Sequence, residues 1–149
     1  MAAATQGRMS ETTPFAPERI WLIVNPAAGR GETERVAVEV ARRLRQHGWQ
    51  VDSYWTEEPG DARRLARAAV AAGVEGVAVL GGDGTCRSVA EGLAGSTVVL
   101  IPIPAGTGND LARGLGIPRR PLLAASACAC ATLREIDLWR WNDAVFLNV

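Results

Sequence analysis

In the first third of the chain, a continuous hydrophobic run is followed by a segment in which hydrophobic residues recur every four positions. Residues 20–24 form the continuous run Ile-Trp-Leu-Ile-Val, which predicts a strand buried on both faces of a parallel sheet. A loop of small residues follows, and then Val36, Val40 and Leu44 recur every four residues within 33–47. This spacing predicts an amphipathic helix, and Gly48 suits the left-handed position that ends such a helix.

The same alternation continues to about residue 131. Further strands are predicted over 49–55, 77–80 and 97–101. Further helices are predicted over 62–72, around 86–93, from about Asn109 and over 122–131. Asp61 is the predicted N-cap of the first of these helices. Strands that alternate with helices indicate an α/β fold with a doubly wound, mostly parallel sheet.

The two ends of the chain differ from this middle part. Residues 1–17 are small and polar and lack an apolar signal-peptide core, so they predict a disordered tail. At the other end, the strand-like runs 136–141 and 144–149 flank Asn142-Asp143 and predict a β-hairpin. Trp139 and Trp141 share one face of this hairpin, which favours the core or a domain interface. The apolar runs are shorter than the roughly 18–20 residues of a membrane span, so we expect a cytoplasmic protein.

Composition excludes several kinds of chemistry. The chain of 149 residues has 16 basic and 16 acidic side chains, and this balance argues against a general nucleic-acid binder. Every basic residue is arginine, which excludes a lysine-containing phosphate loop, and the single histidine, His47, excludes a His-His metal cluster. The three cysteines include no C-x-x-C pair, so free thiols are expected rather than a zinc site.

Glycine-rich loops follow the first, third and fourth strands, over 25–31, 81–85 and 104–110. In an open α/β sheet these loops meet outside the carboxyl ends of the strands, where ligands bind. Glycine lets backbone N–H groups approach an anion, and each loop opens a helix whose N-terminus favours phosphate. Asp83 is unfavourable beside phosphate unless a metal or a hydroxyl substrate offsets the repulsion, so it suggests a magnesium-linked or catalytic role.

A dinucleotide fold of the G-x-G-x-x-G type is poorly supported. The chain has four G-x-G pairs, but the position that should hold the last small residue of the fingerprint is occupied by a larger side chain each time. Those residues are Glu34, Arg87, Leu111 and Arg119.

Two of the glycine loops carry a family resemblance. The segment 81–85 resembles the GGDGT signature of the diacylglycerol kinase, sphingosine kinase, NAD kinase and phosphofructokinase superfamily. The segment 101–113 resembles the P-x-G-T-x-N-D-x-A-R stretch of the diacylglycerol kinase catalytic domain, and it selects this family. Further matches fall at Asn25-Pro26-x-x-Gly29, at Thr56 with 60–62, and at 136–137.

The resemblance implies an ATP-dependent lipid kinase with Mg²⁺. It assigns 18–134 to the nucleotide-binding domain and 135–149 to a hairpin that leads into a β-rich second domain, where the general base is expected. Asp83, Asp110 and Asp137 match acidic positions that organise the active site, partly through water and magnesium, and no residue is assigned as a direct metal ligand. The implied nucleotide-binding residues are Asn25, Pro26, Ala27, Ala28, Gly29, Thr56, Gly82, Asp83, Gly84, Thr85, Cys86, Arg87, Ser88 and Thr107.

Two departures keep alternatives open. Many members carry an acidic residue at the position of Ser88, and the second domain is absent from this chain, so a truncated and inert nucleotide-binding module is the alternative. NAD kinase is disfavoured by the 106–110 segment. The expected partner is a lipid substrate at the membrane surface, with peripheral membrane association, and a second copy of the chain is a candidate partner.

Overall fold

The computed structural model describes residues 14–29 and 31–148. Arg30, Val149 and most of the predicted disordered tail lie outside these residues. The last part of that tail packs on the domain: Pro14 bridges Thr132, and the Phe15 N–H donates to the Ala131 carbonyl at 3.2 Å. The Phe15 ring also meets the edge of Trp49, with 5.8 Å between ring centroids.

Within the described residues, the strands and α-helices follow one another in the predicted order, but the helix predicted over 122–131 ends at Ala127 and continues as a 3-10 turn. The strands are β1 (Arg19–Val24), β2 (Gln50–Trp55), β3 (Gly76–Gly81), β4 (Val99–Pro104), β5 (Asp137–Trp141) and β6 (Ala144–Asn148). The helices are α1 (Thr33–Gln46), α2 (Asp61–Ala71), α3 (Asp83–Leu93), α4 (Asp110–Gly114) and α5 (Pro121–Ala127), and a 3-10 turn covers Cys128–Cys130.

Four of the strands form a parallel sheet in the order β2-β1-β3-β4. Val24 pairs with Leu80, and Gly81 pairs with Pro104, so β1, β3 and β4 end at nearly the same level. The predicted parallel α/β sheet is confirmed, and its register brings the loops that follow these three strands to one edge.

The sheet is covered on both faces, because successive side chains of each strand point to opposite sides. One core lies between the sheet and helices α1 and α5, with Leu22 and Leu44 fully buried in it. The other lies between the sheet and helices α2 and α3, and it includes Ile23 and Val89. Each core removes continuous apolar surface from water, which is the main force that holds the layers together.

The fourth strand begins and ends later than predicted, at 99–104 rather than 97–101. The prolines in this run, Pro102 and Pro104, argue against a central strand, but β4 lies at the sheet edge. The Val99 N–H donates to the carbonyl of Glu75, which directly precedes β3, and the Ala105 N–H donates to the carbonyl of Gly81 at the end of β3. By alternation, the N–H groups that proline lacks would have faced away from β3, so these prolines cost no ladder hydrogen bond.

The predicted role of Asp61 as an N-cap is wrong. Gly60, with φ of 93°, is the N-cap of α2, and Asp61 is its first residue. The buried carboxylate instead accepts hydrogen bonds from the amides of Glu57 and Glu58, at 2.9 and 3.1 Å, and from Arg64 at 2.8 Å. Asp61 therefore stabilises the turn that connects β2 to α2.

The C-terminal hairpin is antiparallel, as predicted, with Trp139 opposite Phe146. Its two faces differ: Val145 is 1% exposed, and Leu147 packs against the core beneath α2 and α3. Trp139 and Trp141 lie on the other face and are 61% and 75% exposed. A core position for these two indoles is therefore wrong within the described part of the chain.

We predict that Asp61 contributes acid-sensitive stability. Hydrogen bonds from the Glu57 amide first, and then from Arg64 and the Glu58 amide, lower the pKa of Asp61 from 3.8 to about 2. A lowered native pKa stabilises the fold above the unfolded pKa, and this contribution disappears as the pH falls from about 4 towards about 2. Asp61→Asn should therefore lower the free energy of unfolding near pH 7 and flatten its slope below about pH 4 in urea titrations.

Glu39→Gln is the matched control for Asp61→Asn. A hydrogen bond from Arg42 lowers the pKa of Glu39 to about 2, but this pair lies on the exposed face of α1. Its contribution should vanish in about 1 M salt, whereas that of Asp61, a buried carboxylate held mainly by backbone amides, should persist. Equal salt sensitivity of the two variants would contradict this account.

Candidate functional site

Asn25, directly after β1, ties the first glycine-rich loop to the start of α3. Its backbone N–H donates to Leu80 at 3.0 Å, and its side-chain oxygen accepts the Ala27 N–H at 3.0 Å. Its amide nitrogen donates to the Thr85 hydroxyl oxygen at 3.0 Å. The bond with Ala27 closes a tight turn, whereas the other two tie Asn25 to the end of β3 and to Thr85, sixty positions away.

The far end of the same loop is held by Thr33, which the sequence did not single out. The Thr33 hydroxyl donates to the Ala28 carbonyl and is 7% exposed. Gly29 adopts φ of 89°, and a β-carbon there would approach the Thr33 hydroxyl oxygen to 3.2 Å. A hydroxyl residue at the first position of a helix, on its buried side, is the signal that could have identified Thr33.

The second and third glycine loops touch through their backbones. A β-carbon added to Gly106 would lie 2.7 Å from the α-carbon of Gly82, a distance that β-carbons essentially never reach. A β-carbon on Gly82 would in turn lie 3.4 Å from the Gly106 α-carbon. Glycine at both positions is therefore what allows the ends of β3 and β4 to come together.

Asp83 joins the same two loops by hydrogen bonds. Its Oδ2 accepts the N–H of Asp110 at 2.9 Å, and its Oδ1 accepts the N–H of Leu111 at 3.1 Å. Both carboxylate oxygens are thus engaged by free amides at the start of α4. In this arrangement Asp83 holds α4 in place, and its remaining lone pairs are what it can offer to a ligand.

The other two predicted acidic residues have different surroundings. The Asp110 carboxylate forms an ion pair with Arg113 on the next turn of α4, and both side chains are more than 70% exposed. Asp137 lies on β5, and within the described residues its side chain makes no hydrogen bond or ion pair. The structure joins Asp83 to the backbone of Asp110, and within the described residues Asp137 shares no hydrogen bond or ion pair with either.

The remaining predicted residues lie near the carboxyl edge of the sheet. Thr56 follows β2, and its N–H donates to the Val24 carbonyl at 3.0 Å. The side chain of Thr107 is exposed, whereas that of Cys86 is 4% exposed and faces the core. Burial, together with the nearby Asp83, raises the pKa of the Cys86 thiol to about 12, so this thiol stays protonated at neutral pH.

A cavity of about 520 Å³ opens between α1 and α5, beside the first loop. This volume lies within the roughly 300–1,000 Å³ range of small-molecule sites. Its wall includes Ala28 and Gly29 of the first loop, Gly106 of the third loop, and Arg119. On the other side of the glycine contact, near Cys86 and Leu111, the space is only about 10 Å³.

Two negative findings apply to the described residues. They contain no group of three or more His, Cys, Asp or Glu side chains arranged to bind a metal ion. None of their helices combines the length and the apolar character that crossing a membrane requires.

Residues 19–141 match the diacylglycerol kinase catalytic domain. Since this match covers most of the 149 residues, the chain belongs to the diacylglycerol kinase catalytic-domain family. The resemblance drawn from the two glycine loops is confirmed.

Curated relatives agree with this assignment. The "probable lipid kinase YegS-like" protein of Pseudomonas putida is 44% identical over 108 residues, which are 71% of this chain and 36% of that protein. The diacylglycerol kinase of Mycobacterium tuberculosis is 38% identical over 84% of this chain and 41% of its own length. The diacylglycerol kinase of Bacillus subtilis is 35% identical, over 89% and 45%. The chain spans less than half the length of these relatives.

A solved structure shows the same fold. A diacylglycerol kinase from Bacillus anthracis superimposes with a TM-score of 0.81 at 32% identity, covering 90% of this chain and 47% of that one. This agreement confirms the fold class that the alternating pattern predicts.

We predict that Gly106→Ala disrupts the contact between the loops. The new methyl group would meet the Gly82 backbone at 2.7 Å, and the backbone cannot rotate away as a side chain can. The free energy of unfolding should fall by about 1–3 kcal/mol, the usual effect of overpacking. Gly84→Ala is the control, because nothing lies within 4 Å of its β-carbon position, and its stability in urea should match or slightly exceed wild type. Equal losses for both variants would contradict the contact.

Proposed function

We propose that this chain is the nucleotide-binding part of an ATP-dependent lipid kinase, which transfers the γ-phosphoryl group to a hydroxyl of diacylglycerol or a related lipid. The observation that carries the proposal is the pair of joined glycine loops at the carboxyl edge of the sheet, in a family whose relatives carry lipid-kinase names.

The start of α3 has the chemistry to bind phosphate. The first hydrogen bond of the helix runs from the Cys86 N–H to the Gly82 carbonyl at 3.1 Å. The N–H groups of 83–85 therefore have no acceptor within the helix. No atom lies within 4 Å of the point that a β-carbon on Gly84 would occupy, so an anion can approach the backbone closely there. Since the chain has no lysine, these amides and the hydroxyls of Thr85 and Thr107 would hold the phosphates.

The described residues have carboxylates that could help to hold a magnesium ion that arrives with the nucleotide. They offer no cluster of three acidic ligands, but the carboxylates of Asp83 and Asp110 lie at adjoining loops. Mg²⁺ commonly keeps several waters and binds through phosphates with one or two carboxylates. When bound, it would neutralise charge on the transferring phosphoryl group.

The chain's own residues would mainly position the nucleotide. Asn25 orients the Thr85 hydroxyl, and Asp83 fixes α4 so that the loop bearing Thr107 faces the same edge. Fixed donors of this kind stabilise transferred charge without reorganisation. Asp83 is engaged by amides and Asp110 by Arg113, so we propose that the acceptor of the lipid hydroxyl's proton comes from the part of longer relatives that this chain does not span.

We predict that the chain binds Mg-ATP and that Thr85→Val weakens this binding. The substitution removes a hydroxyl from the proposed cradle and breaks the bond from Asn25, while side-chain size is kept. A hydrogen bond to a charged group contributes about 1.5–3 kcal/mol, so affinity in isothermal titration should fall about tenfold or more. Thr97→Val is the control, because Thr97 is exposed and precedes β4, at the opposite edge of the sheet.

Two results would contradict the nucleotide site: no Mg-ATP binding at millimolar concentration, or the same loss of affinity in Thr97→Val. The molecule that receives the phosphoryl group is identified by a separate assay. The protein expressed from the complete reading frame that contains this chain should transfer label from γ-labelled ATP to diacylglycerol in mixed micelles. Label in NAD rather than in lipid would contradict a lipid kinase.

A further inference from the structure

Asn109 has an unusual backbone conformation at the point where the third glycine loop meets α4. Its φ and ψ are 52° and 44°, in the left-handed region that side chains other than Asn, Asp and Gly rarely adopt. Within the described residues, Asn142 in the turn of the C-terminal hairpin is the other non-glycine residue with positive φ. The left-handed residue turns the chain sharply, so that α4 begins immediately after the loop.

The side chain of Asn109 closes a small ring with Gly106. Its Oδ1 accepts the Gly106 N–H at 3.0 Å, and its Nδ2 donates to the Gly106 carbonyl at 2.8 Å. A donor faces an acceptor on both sides, so this arrangement requires a carboxamide. An aspartate would have nearly the same shape, but it would place an anionic oxygen against the Gly106 carbonyl oxygen.

This ring fixes both contacts that join the glycine loops. Gly106, which is held on both of its polar atoms, is the residue whose backbone packs on Gly82. On the other side, the Asn109 carbonyl accepts the Arg113 N–H at 2.9 Å and thereby starts α4. The first amides of that helix, from Asp110 and Leu111, are the ones that bind Asp83.

We propose that Asn109 is a positioning residue: it sets the spacing between the two glycine loops, and through them the placement of Asp83 and Thr107, without touching the nucleotide. Both polar atoms of its carboxamide bond to Gly106, and the residue is only half-buried, so its role follows from loop geometry rather than from core packing. The effect on ATP rests on the proposed function above; the effect on the loops does not.

The test compares Asn109→Gly and Asn109→Asp with the same two substitutions at Asn142. Glycine keeps the left-handed backbone and loses the ring, whereas aspartate keeps the shape and loses the Nδ2 donor. Three quantities are measured in the 149-residue chain. They are amide hydrogen exchange at Asp110 and Leu111, exchange at Val79 in the buried centre of β3, and Mg-ATP affinity.

We expect both Asn109 variants to speed exchange at Asp110 and Leu111 about tenfold, as expected when a local hydrogen-bonded unit opens more often. Val79 should stay protected, and Mg-ATP affinity should fall. The Asn142 variants should change none of the three quantities beyond a uniform shift, since Asn142 lies in the turn of a separate two-stranded sheet.

Three results would overturn the proposal. Weaker Mg-ATP binding with unchanged exchange at Asp110 and Leu111 would make Asn109 a direct nucleotide ligand. Proportional acceleration at Val79 would make it a general stability residue. No change in exchange at Asp110 and Leu111 would show that the ring does not hold the loops. If wild-type chain fails to bind Mg-ATP, the proposed function fails, and the exchange data still decide whether Asn109 positions the loops.

Discussion

The close approach of Gly82 and Gly106 is the constraint on which the rest of the site depends. Two backbones meet there without a side chain between them, and a single methyl group on Gly106 would collide with Gly82 at 2.7 Å. Asp83 then spans the junction, because its carboxylate accepts two amides from the start of α4. The ends of β3 and β4 are therefore joined into one surface at the carboxyl edge of the sheet.

The sheet supplies the conditions for that approach. Parallel pairing places Gly81 opposite Pro104, so the loops that follow β3 and β4 leave the sheet side by side. Cores on both faces hold these strands, and edge placement allows β4 to include Pro102 and Pro104. Asn25 extends the junction to the end of β1 through its bond to Thr85. Loops distant in sequence thus form one site because strand register aligns them.

Local pattern was enough to predict the sheet, the order of elements and the convergence of the glycine loops, since burial on both faces leaves a strong periodic signal in 20–24 and 33–47. It was not enough where one specific hydrogen bond between a side chain and a nearby backbone group decides the outcome. The bond from Asp61 to the turn before it, the ring of Asn109 over Gly106 and the buried hydroxyl of Thr33 each depend on a partner that composition cannot identify. The edge position of β4, which tolerates proline, is also a property of topology.

The central claim is that the joined glycine loops bind the phosphates of Mg-ATP. Two-dimensional amide NMR of the 149-residue chain during a Mg-ATP titration tests it most directly. We expect the largest shifts at 82–85 and 106–110, with smaller shifts at 25–29 and none in the hairpin 137–148. Shifts confined to other parts of the chain, or a spectrum unchanged at millimolar Mg-ATP, would contradict the account.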